Sequence, residues 1–435
     1  MKSFKFHGGA HPRYNKRQSQ YFKIEDIGAP AQVILPVLQH IGKPAKPIVK
    51  QGDRVLFGQK IAEGQGDVSA SIHSSVSGIV EKIAPHVHPG GEVVSSIFIK
   101  NDFKNLKHPS IKPRRHFSEL TAPEIVASVR EAGVVGMGGA AFPTHVKLAP
   151  QPDKKIKNLI INGCECEPYL TSDHRVMLEY PEKLVLGILA ISRVVTPEKI
   201  YIAIEDNKKD AIETMQQYTK EIENIEVVRL PTRYPQGSEK QLIYSILGVE
   251  VAAGQLPADV GCLVHNVDSC VAVAEAMEDG SPLTHRIVTV SGSCFAQAQN
   301  YRVPIGTTIS HIVEFHGGFR QQPKRVLLGG PMMGMAQVNL DVPIIKGTGA
   351  LLALSNKDTN VHRETNCLRC GRCVSGCPVR LRPINLAHLA QKSDADGLRA
   401  ENIVDCIECG VCTYHCPAKI HLLQWIRSGK SQISD

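Results

Sequence analysis

CLRCGRCVSGCP at 367–378 and CIECGVCTYHCP at 406–417 repeat one spacing, C-x2-C-x2-C-x3-C-P. A four-iron cluster needs four thiolates: a compact loop supplies three, and a cysteine followed by proline arrives from outside that loop. Where two such runs occur together each fourth cysteine serves the other cluster. That rule assigns Cys367, Cys370, Cys373 and Cys416 to one [4Fe-4S] cluster, and Cys406, Cys409, Cys412 and Cys377 to its neighbour. Zinc is the rival ligand, but zinc knuckles use two pairs of ligands and need neither a third evenly spaced cysteine nor the Cys-Pro. A disulfide framework fits poorly, because these cysteines crowd one end of an otherwise cysteine-poor chain of 435 residues.

Between the two runs, PINLAHLAQ (383–391) has helical spacing and makes the 355–430 segment a two-cluster, ferredoxin-like helical module. Upstream, HRIVTVSG, YRVPIGTTISHIVEFHGG and KRVLLGGPMMG read as strand-rich, a small β-grasp-like domain over 285–345. NLIINGCECEP, KIYIAIED and IEVVRLP read as buried strands alternating with helices, notably one at 211–221, the pattern of an α/β sheet over 118–284. Thr121 as N-cap, Pro123 in the first turn and Ile125, Val126, Val129 and Ala132 on one face announce its first helix. Residues 101–117 are polar and basic, with two prolines, and form a linker.

The first hundred residues carry short strands, with Ile48, Val55, Ile61, Ile72, Val76, Ile79, Val80 and Ile83 spaced for small sheets. Residues 49–80 resemble the hammerhead pattern of lipoyl and biotinyl carrier domains. Asp67 to Ser75, where those carriers hold their modified lysine, contains none. The expectation is a barrel-sandwich domain over 1–100 that serves as scaffold, with a mobile carrier as the minor alternative.

Hydrophobic content of 42% is that of ordinary globular protein, long enough for several cores. The start, MKSFKFHGGAHPRYNKRQSQ, has basic residues but no apolar stretch behind them, so no signal peptide is expected. The longest apolar run, Leu184 to Ser192, falls short of the ~18 residues of a membrane span. A net charge of +8 is spread along the chain, with modest concentrations at Lys2 to Arg17 and at Lys112, Arg114 and Arg115. It reads either as a solvated surface or as docking to an acidic partner or membrane surface. No nucleic-acid module is present, so no nucleic-acid partner is expected.

AGVVGMGGAAFPTHVKL (132–148) formally fits G-x-G-x-x-A at Gly136, Gly138 and Ala141, but it follows a helix and meets Pro143 almost at once. Clustered glycines let backbone amides approach a phosphate, and Lys147 adds a full charge; a tight structural turn is the competing reading. Asn162, Glu165 and Glu167 stand at the C-terminal end of a predicted parallel strand, where open α/β sheets bind ligands. Cys164 and Cys166 beside that site are either buried thiols or a redox pair, and Cys262, Cys270 and Cys294 are expected to be free buried thiols.

GMGGAAFPTHVK, NGCECEP, YPQGSEKQL and HNVDSC, in this order, resemble the FMN and NADH site of the flavoprotein subunit of respiratory complex I. With FKFHGGAHP at 4–12, the carrier-like domain and the doubled cluster motif, the chain resembles the RnfC component of Rnf ion-translocating oxidoreductases. The complex I subunit has ligands for one cluster, whereas this chain has ligands for two.

The resemblance implies a Rossmann-like FMN/NADH domain, an SLBB-like β-grasp, FMN as cofactor and NAD(H) as substrate. It implies that Gly136, Gly138, Gly139 and Lys147 cradle FMN, that Asn162 bonds the flavin, and that Asn266 and Ser269 reach its phosphate side. Glu167 and Glu239 would face the nicotinamide nucleotide beside Phe142; Glu165 shares their loop. Ser238, His265, Cys164 and Cys166 depart from the complex I pattern, and KLAP (147–150) lacks its aromatics.

The implied function is that of a peripheral subunit, without a membrane span, on the cytoplasmic face of a ferredoxin:NAD+ oxidoreductase. It would exchange electrons with ferredoxin indirectly, through membrane and iron–sulfur partner subunits, coupled to Na+ or H+ translocation. Alternatives are a soluble electron donor feeding a reductase, and a cluster-bearing scaffold without nucleotide activity.

Overall fold

The computed structural model describes residues 3–114, 116–149, 154–359 and 363–433, so Lys2, Arg115 and Pro150 of the stretches above lie outside the described residues. The α/β core is a parallel sheet in the order 225–230, 199–205, 158–163, 262–266. Its strands are near-continuous apolar runs because helices cover both faces: Ile160, Ile161, Ile200, Ile202 and Ile204 are fully buried. The helix at Ala122–Glu131 starts as expected, with the Thr121 amide and hydroxyl both donating to Glu124 at 2.8 Å. The helix expected at 211–221 occupies Lys209–Thr219.

The amino-terminal scaffold pairs a four-stranded sheet (32–36, 93–101, 78–87, 54–55) with a three-stranded one (46–47, 60–63, 72–73). The segment in the carrier-lysine position is clamped, with the Ser75 hydroxyl donating to Ile305 O at 2.6 Å and Ser71 O accepting from Lys346 at 2.6 Å. Such a tip does not swing. Residues before 24 add no strand to this barrel: they run as an arm across the α/β domain, and Ile24–Asp26 adds a strand to the β-grasp sheet.

Two further expectations change. SHIVEF, read within a strand-rich stretch, forms the helix Ile309–Phe315, capped by Thr308, because Ile309, Ile312 and Val313 share one buried face at helical spacing. The β-grasp domain does not stop at 345. Ala350–Leu354 is a fully apolar strand that pairs with both 285–291 and 325–328, and so fills the middle of the six-stranded sheet. The cluster module follows, with its helix at Pro383–Gln391 where the spacing puts it. Among the described residues no helix is long and apolar enough to cross a membrane.

Candidate functional site

The glycine loop leaves the first helix, folds back so that the Gly136 amide donates to Phe142 O at 2.8 Å, and enters a short helix at Thr144–Leu148. Ser269, fully buried, holds it from below by accepting from the Met137 amide at 2.9 Å. Among the described residues the amides of Gly138, Gly139 and Ala140 make no hydrogen bond, and nothing lies within 4 Å of where a Gly139 side chain would begin. Unbonded amides on an exposed glycine turn, with open space beside Gly139, can receive an anion. At its edge Lys147 donates to Glu239 (3.0 Å) and to Val264 O (3.1 Å), which places the loop, the start of the 239–247 helix and the strand ends around one cleft.

Two buried side chains on the elements around the cleft lack partners. His265 Nε2 and Thr144 Oγ1 are buried and unbonded. Burial, with the Lys147 charge added, pushes His265 down to about 3, so its imidazole is neutral. Orphaned buried polar atoms cost ~1–3 kcal/mol each unless a ligand satisfies them. The unbonded glycine-loop amides and the lysine at their edge fit a phosphorylated cofactor such as FMN.

Asn162 Nδ2 donates to Gly237 O at 2.9 Å and its Oδ1 accepts from the Cys164 amide at 3.2 Å, tying the strand end to the 234–238 turn. Four residues placed on the ligand by resemblance are already committed to the protein. Ser269 holds Met137. Asn266 caps the 267–278 helix, accepting from the Asp268 amide at 2.9 Å, and donates to Asp173 at 2.7 Å. Glu165 accepts from the Asp173 amide at 2.7 Å and the Ser172 hydroxyl at 3.2 Å. Glu167 accepts from the amides of Met332 (3.1 Å) and Met333 (2.8 Å), and its burial raises it to about 7. They frame the cleft; Gly138, Gly139, Lys147, Asn162 and Glu239 face or border it, with Phe142 supplying the backbone closure of the loop.

Sequence reading missed the supports that come from far away. Lys16, 5% exposed, donates to the carbonyls of Glu165 (2.7 Å), Glu167 (2.9 Å) and Leu170 (2.5 Å), so the amino-terminal arm holds the NGCECEP loop. Arg286 of the β-grasp domain pairs with Asp268 and donates to Met137 O at 3.3 Å, and Lys346 donates to Gly133 O at 2.7 Å. Their only sequence signal was charge inside a strand-rich stretch. Burial pushes the Cys164 and Cys166 thiols well up, so both stay protonated and neither behaves as a reactive thiolate.

Cys367, Cys370, Cys373 and Cys416 line one cavity, and Cys377, Cys406, Cys409 and Cys412 line another, the crossed sets expected from spacing. Sulfurs that ring a cavity suit an iron–sulfur cube. The second cavity abuts the flavin cleft. The Tyr234 hydroxyl donates to Cys409 O at 2.8 Å, and Gly410 lies so close to Met332 O, 2.7 Å from where its side chain would start, that only glycine fits. The arm closes the joint: Gly9 N donates to Gly376 O at 2.9 Å, and Ala10 pairs with Tyr234 in both directions. Tyr234 belongs to YPQGSEKQL, but nothing in that stretch announced its reach to the cluster.

Comparison with known proteins matches four family descriptions in chain order: RnfC barrel sandwich hybrid domain (4–104), Nuo51 FMN-binding domain (129–275), SLBB domain (287–336) and 4Fe-4S dicluster domain (359–417). The C-subunit of the proton-translocating ferredoxin:NAD(+) oxidoreductase complex of Clostridium ljungdahlii is 47% identical, over 99% of this chain and 94% of its own. The C-subunit of the Na(+)-translocating complex of Acetobacterium woodii is 44% identical, over 98% and 97%. That of the ion-translocating oxidoreductase complex of Rhodobacter capsulatus is 43% identical, over 100% and 84%. Among solved structures, an NAD+-reducing [NiFe]-hydrogenase chain in the H2-reduced state superposes with a TM-score of 0.52 at 18% identity, a likeness of fold alone. The match takes in 72% of this chain and 63% of that one.

Proposed function

This chain belongs to the RnfC family, the C-subunits of Rnf-type ion-translocating ferredoxin:NAD+ oxidoreductases, and from that premise we propose how its residues serve the electron path. It is an oxidoreductase subunit with an FMN-binding domain and two [4Fe-4S] clusters, NAD(H) as substrate and other Rnf subunits as partners. The finer placement, on the cytoplasmic face of the membrane, is our reading.

FMN, when bound, exchanges a hydride with the nicotinamide and single electrons with iron–sulfur centres. The chain's own residues hold it: the amides of Gly138, Gly139 and Ala140 with Lys147 take the phosphate, while Asn162 and Glu239 border the ring and nucleotide. Neutral His265 offers a hydrogen bond without adding charge. The observation that carries this reading is the shared wall: Tyr234 and the 329–334 turn link the cleft to the Cys377/Cys406/Cys409/Cys412 lobe, which supports that lobe as the flavin's immediate partner. Neither the soluble-donor nor the scaffold reading gains a supporting observation.

The test is anaerobic spectroscopy of the cluster-loaded chain with NADH. We expect the cluster absorbance to bleach, and Lys147→Ala to retain FMN roughly 10- to 150-fold less tightly, the worth of one charge-assisted hydrogen bond at ~1.5–3 kcal/mol. Clusters that NADH leaves oxidised in FMN-loaded protein would sink the reading.

A further inference from the structure

Behind the flavin loop lies a second cleft that the electron path does not use. It has a volume of about 630 Å³, and the amino-terminal scaffold, the linker, the α/β domain and the β-grasp domain all wall it. Ligand pockets run from about 300 to 1,000 Å³, apolar in body with a few polar groups that fix orientation. The apolar body here is Phe57, Ile111, Tyr180, Val271, Leu283 and Pro304. The Phe57 ring lies 5.7 Å from that of His285, which burial, with the Arg302 charge added, pushes down to about 3 and so keeps neutral.

The charged side chains of the wall balance, but they do not all pair. Arg286 is closed by Asp268, and Lys183 by Glu275 at 3.4 Å. Among the described residues Arg302 and Lys107 make no side-chain hydrogen bond, and the carboxylate that comes within 4.0 Å of Arg302 is Asp26, 75% exposed at the rim. Arg302 stands near enough to His285 and Tyr180 for its charge to act on both. Asp279 Oδ1 is buried without a partner, where the Asp279 carbonyl accepts from the Lys112 amide at 2.9 Å and Ile111 covers Gly58.

We propose that this cleft is a second nucleotide site, regulatory rather than redox, that takes a nucleoside monophosphate. Arg302, with Lys107, holds the phosphate; the base lies against Phe57 and His285, and Asp279 accepts a donor from the base or ribose. A phosphate monoester carries about −1.5 to −2 charges, which the two free cations match. A di- or triphosphate would need cations that the rest of the wall has already paired. Guanidinium forks onto phosphate oxygens, and a buried carboxylate oxygen left without a donor is costly until a ligand supplies one.

The inner wall of this cleft is the back of the flavin loop. Met137 lines it; Arg286 donates to the Met137 carbonyl at 3.3 Å, and Ser269, next to Asp268, accepts from the Met137 amide at 2.9 Å. A ligand that moves Arg286 or Asp268 moves the loop that holds FMN, and such coupling is reciprocal. Occupancy needs no electron path; its coupling rests on the flavin cleft proposed above.

The experiment titrates adenosine monophosphate (AMP) calorimetrically into the full chain loaded with FMN and clusters, with adenosine and ribose 5-phosphate as partial probes. We expect one AMP per chain, and Arg302→Gln to weaken it roughly 10- to 150-fold, as loss of a charge-assisted hydrogen bond does. Arg302→Lys, which keeps the charge and loses the fork, should fall between. Saturating AMP should change FMN retention about fivefold or more in the native chain and not in Arg302→Gln. AMP that binds no more tightly than ribose 5-phosphate, or that binds Arg302→Gln as well as the native chain, would overturn the proposal. So would AMP binding lost in Lys147→Ala but kept in Arg302→Gln, which would place the nucleotide in the flavin cleft. AMP binding with FMN retention unchanged would overturn the regulatory role. Unfolding midpoints and iron content verify that each variant is folded and loaded. Clusters that NADH fails to reduce would sink the electron path and leave these binding results standing.

Discussion

The two cysteine lobes are near copies in backbone and opposites in surroundings. Each has a short helix after its third ligand loop (372–376 and 411–415), a left-handed glycine (Gly371 φ 71, Gly410 φ 75) and a left-handed cation after the Cys-Pro (Arg380 and Lys419, both φ 58). One lobe lies against the flavin cleft through Tyr234, Met332 and the amino-terminal arm, with Cys377, Cys409 and Cys412 buried; the other leaves Cys367 and Cys370 in solvent. Ligand spacing therefore fixes which metal centre forms. What packs against the loop decides whether that centre is internal or an exit.

Breaking the lobes one at a time gives the largest expected difference. Cys370→Ser should remove about half of the iron and leave the inner cluster still reducible by NADH, since the path from the cleft does not cross the outer lobe. Cys409→Ser should remove a similar share and abolish NADH reduction of the cluster that remains. Iron assay with anaerobic EPR distinguishes them. Identical loss of NADH reduction in both variants would dissolve the contrast between inner and outer lobes.

The sequence already carried this pairing of ligands, because each thiolate's partner is set by short, fixed spacings. It also carried the strands of the parallel sheet, whose apolar runs admit only burial on two faces, and the glycine loop with Lys147. What it did not carry was direction. Glu167 and Asn266 stood in the right loops, but whether a carboxylate or amide faces ligand or protein depends on amides at 332, 333 and 268, and the first two arrive from another domain. Lys16 and Arg286 were unreadable for the same reason: the Glu165 and Met137 carbonyls that they hold lie 149 residues away, beyond any periodicity. Ile309–Phe315 was misread because four apolar residues in seven satisfy a strand-rich stretch as well as a helix face.

Tyr234→Phe sharpens the comparison at smaller amplitude. It deletes the hydroxyl's hydrogen bond to the Cys409 carbonyl, together with its contact to Glu167, and keeps the ring, so of the two clusters only the inner one loses an O–H donor beside its ligand loop. A hydrogen bond worth ~0.5–1.5 kcal/mol corresponds to a fall of roughly 20–65 mV for a one-electron couple. Potentiometric EPR titration should show the shift on the inner cluster alone. An equal shift on both would mean that Tyr234 acts through the fold as a whole.

The smallest effect concerns what the two lobes share, the frame behind the flavin loop. Lys346, 1% exposed, donates to Ser71 O and Gly133 O, and burial pushes its ammonium down to about 7. Because the folded value lies below the ordinary 10.5, the unfolded chain binds the extra proton between the two values, so this residue makes stability rise with pH from about 7 upward. Below that window the buried charge is present in the folded state and its cost is constant. Lys346→Met should flatten the rise, seen as a shrinking difference in unfolding midpoint between native chain and variant at successive pH values. The clusters should respond together, since neither lobe contacts Lys346. A parallel pH profile in the two proteins would mean that the amine stays charged in the fold, held by its two carbonyls against the cost of burial.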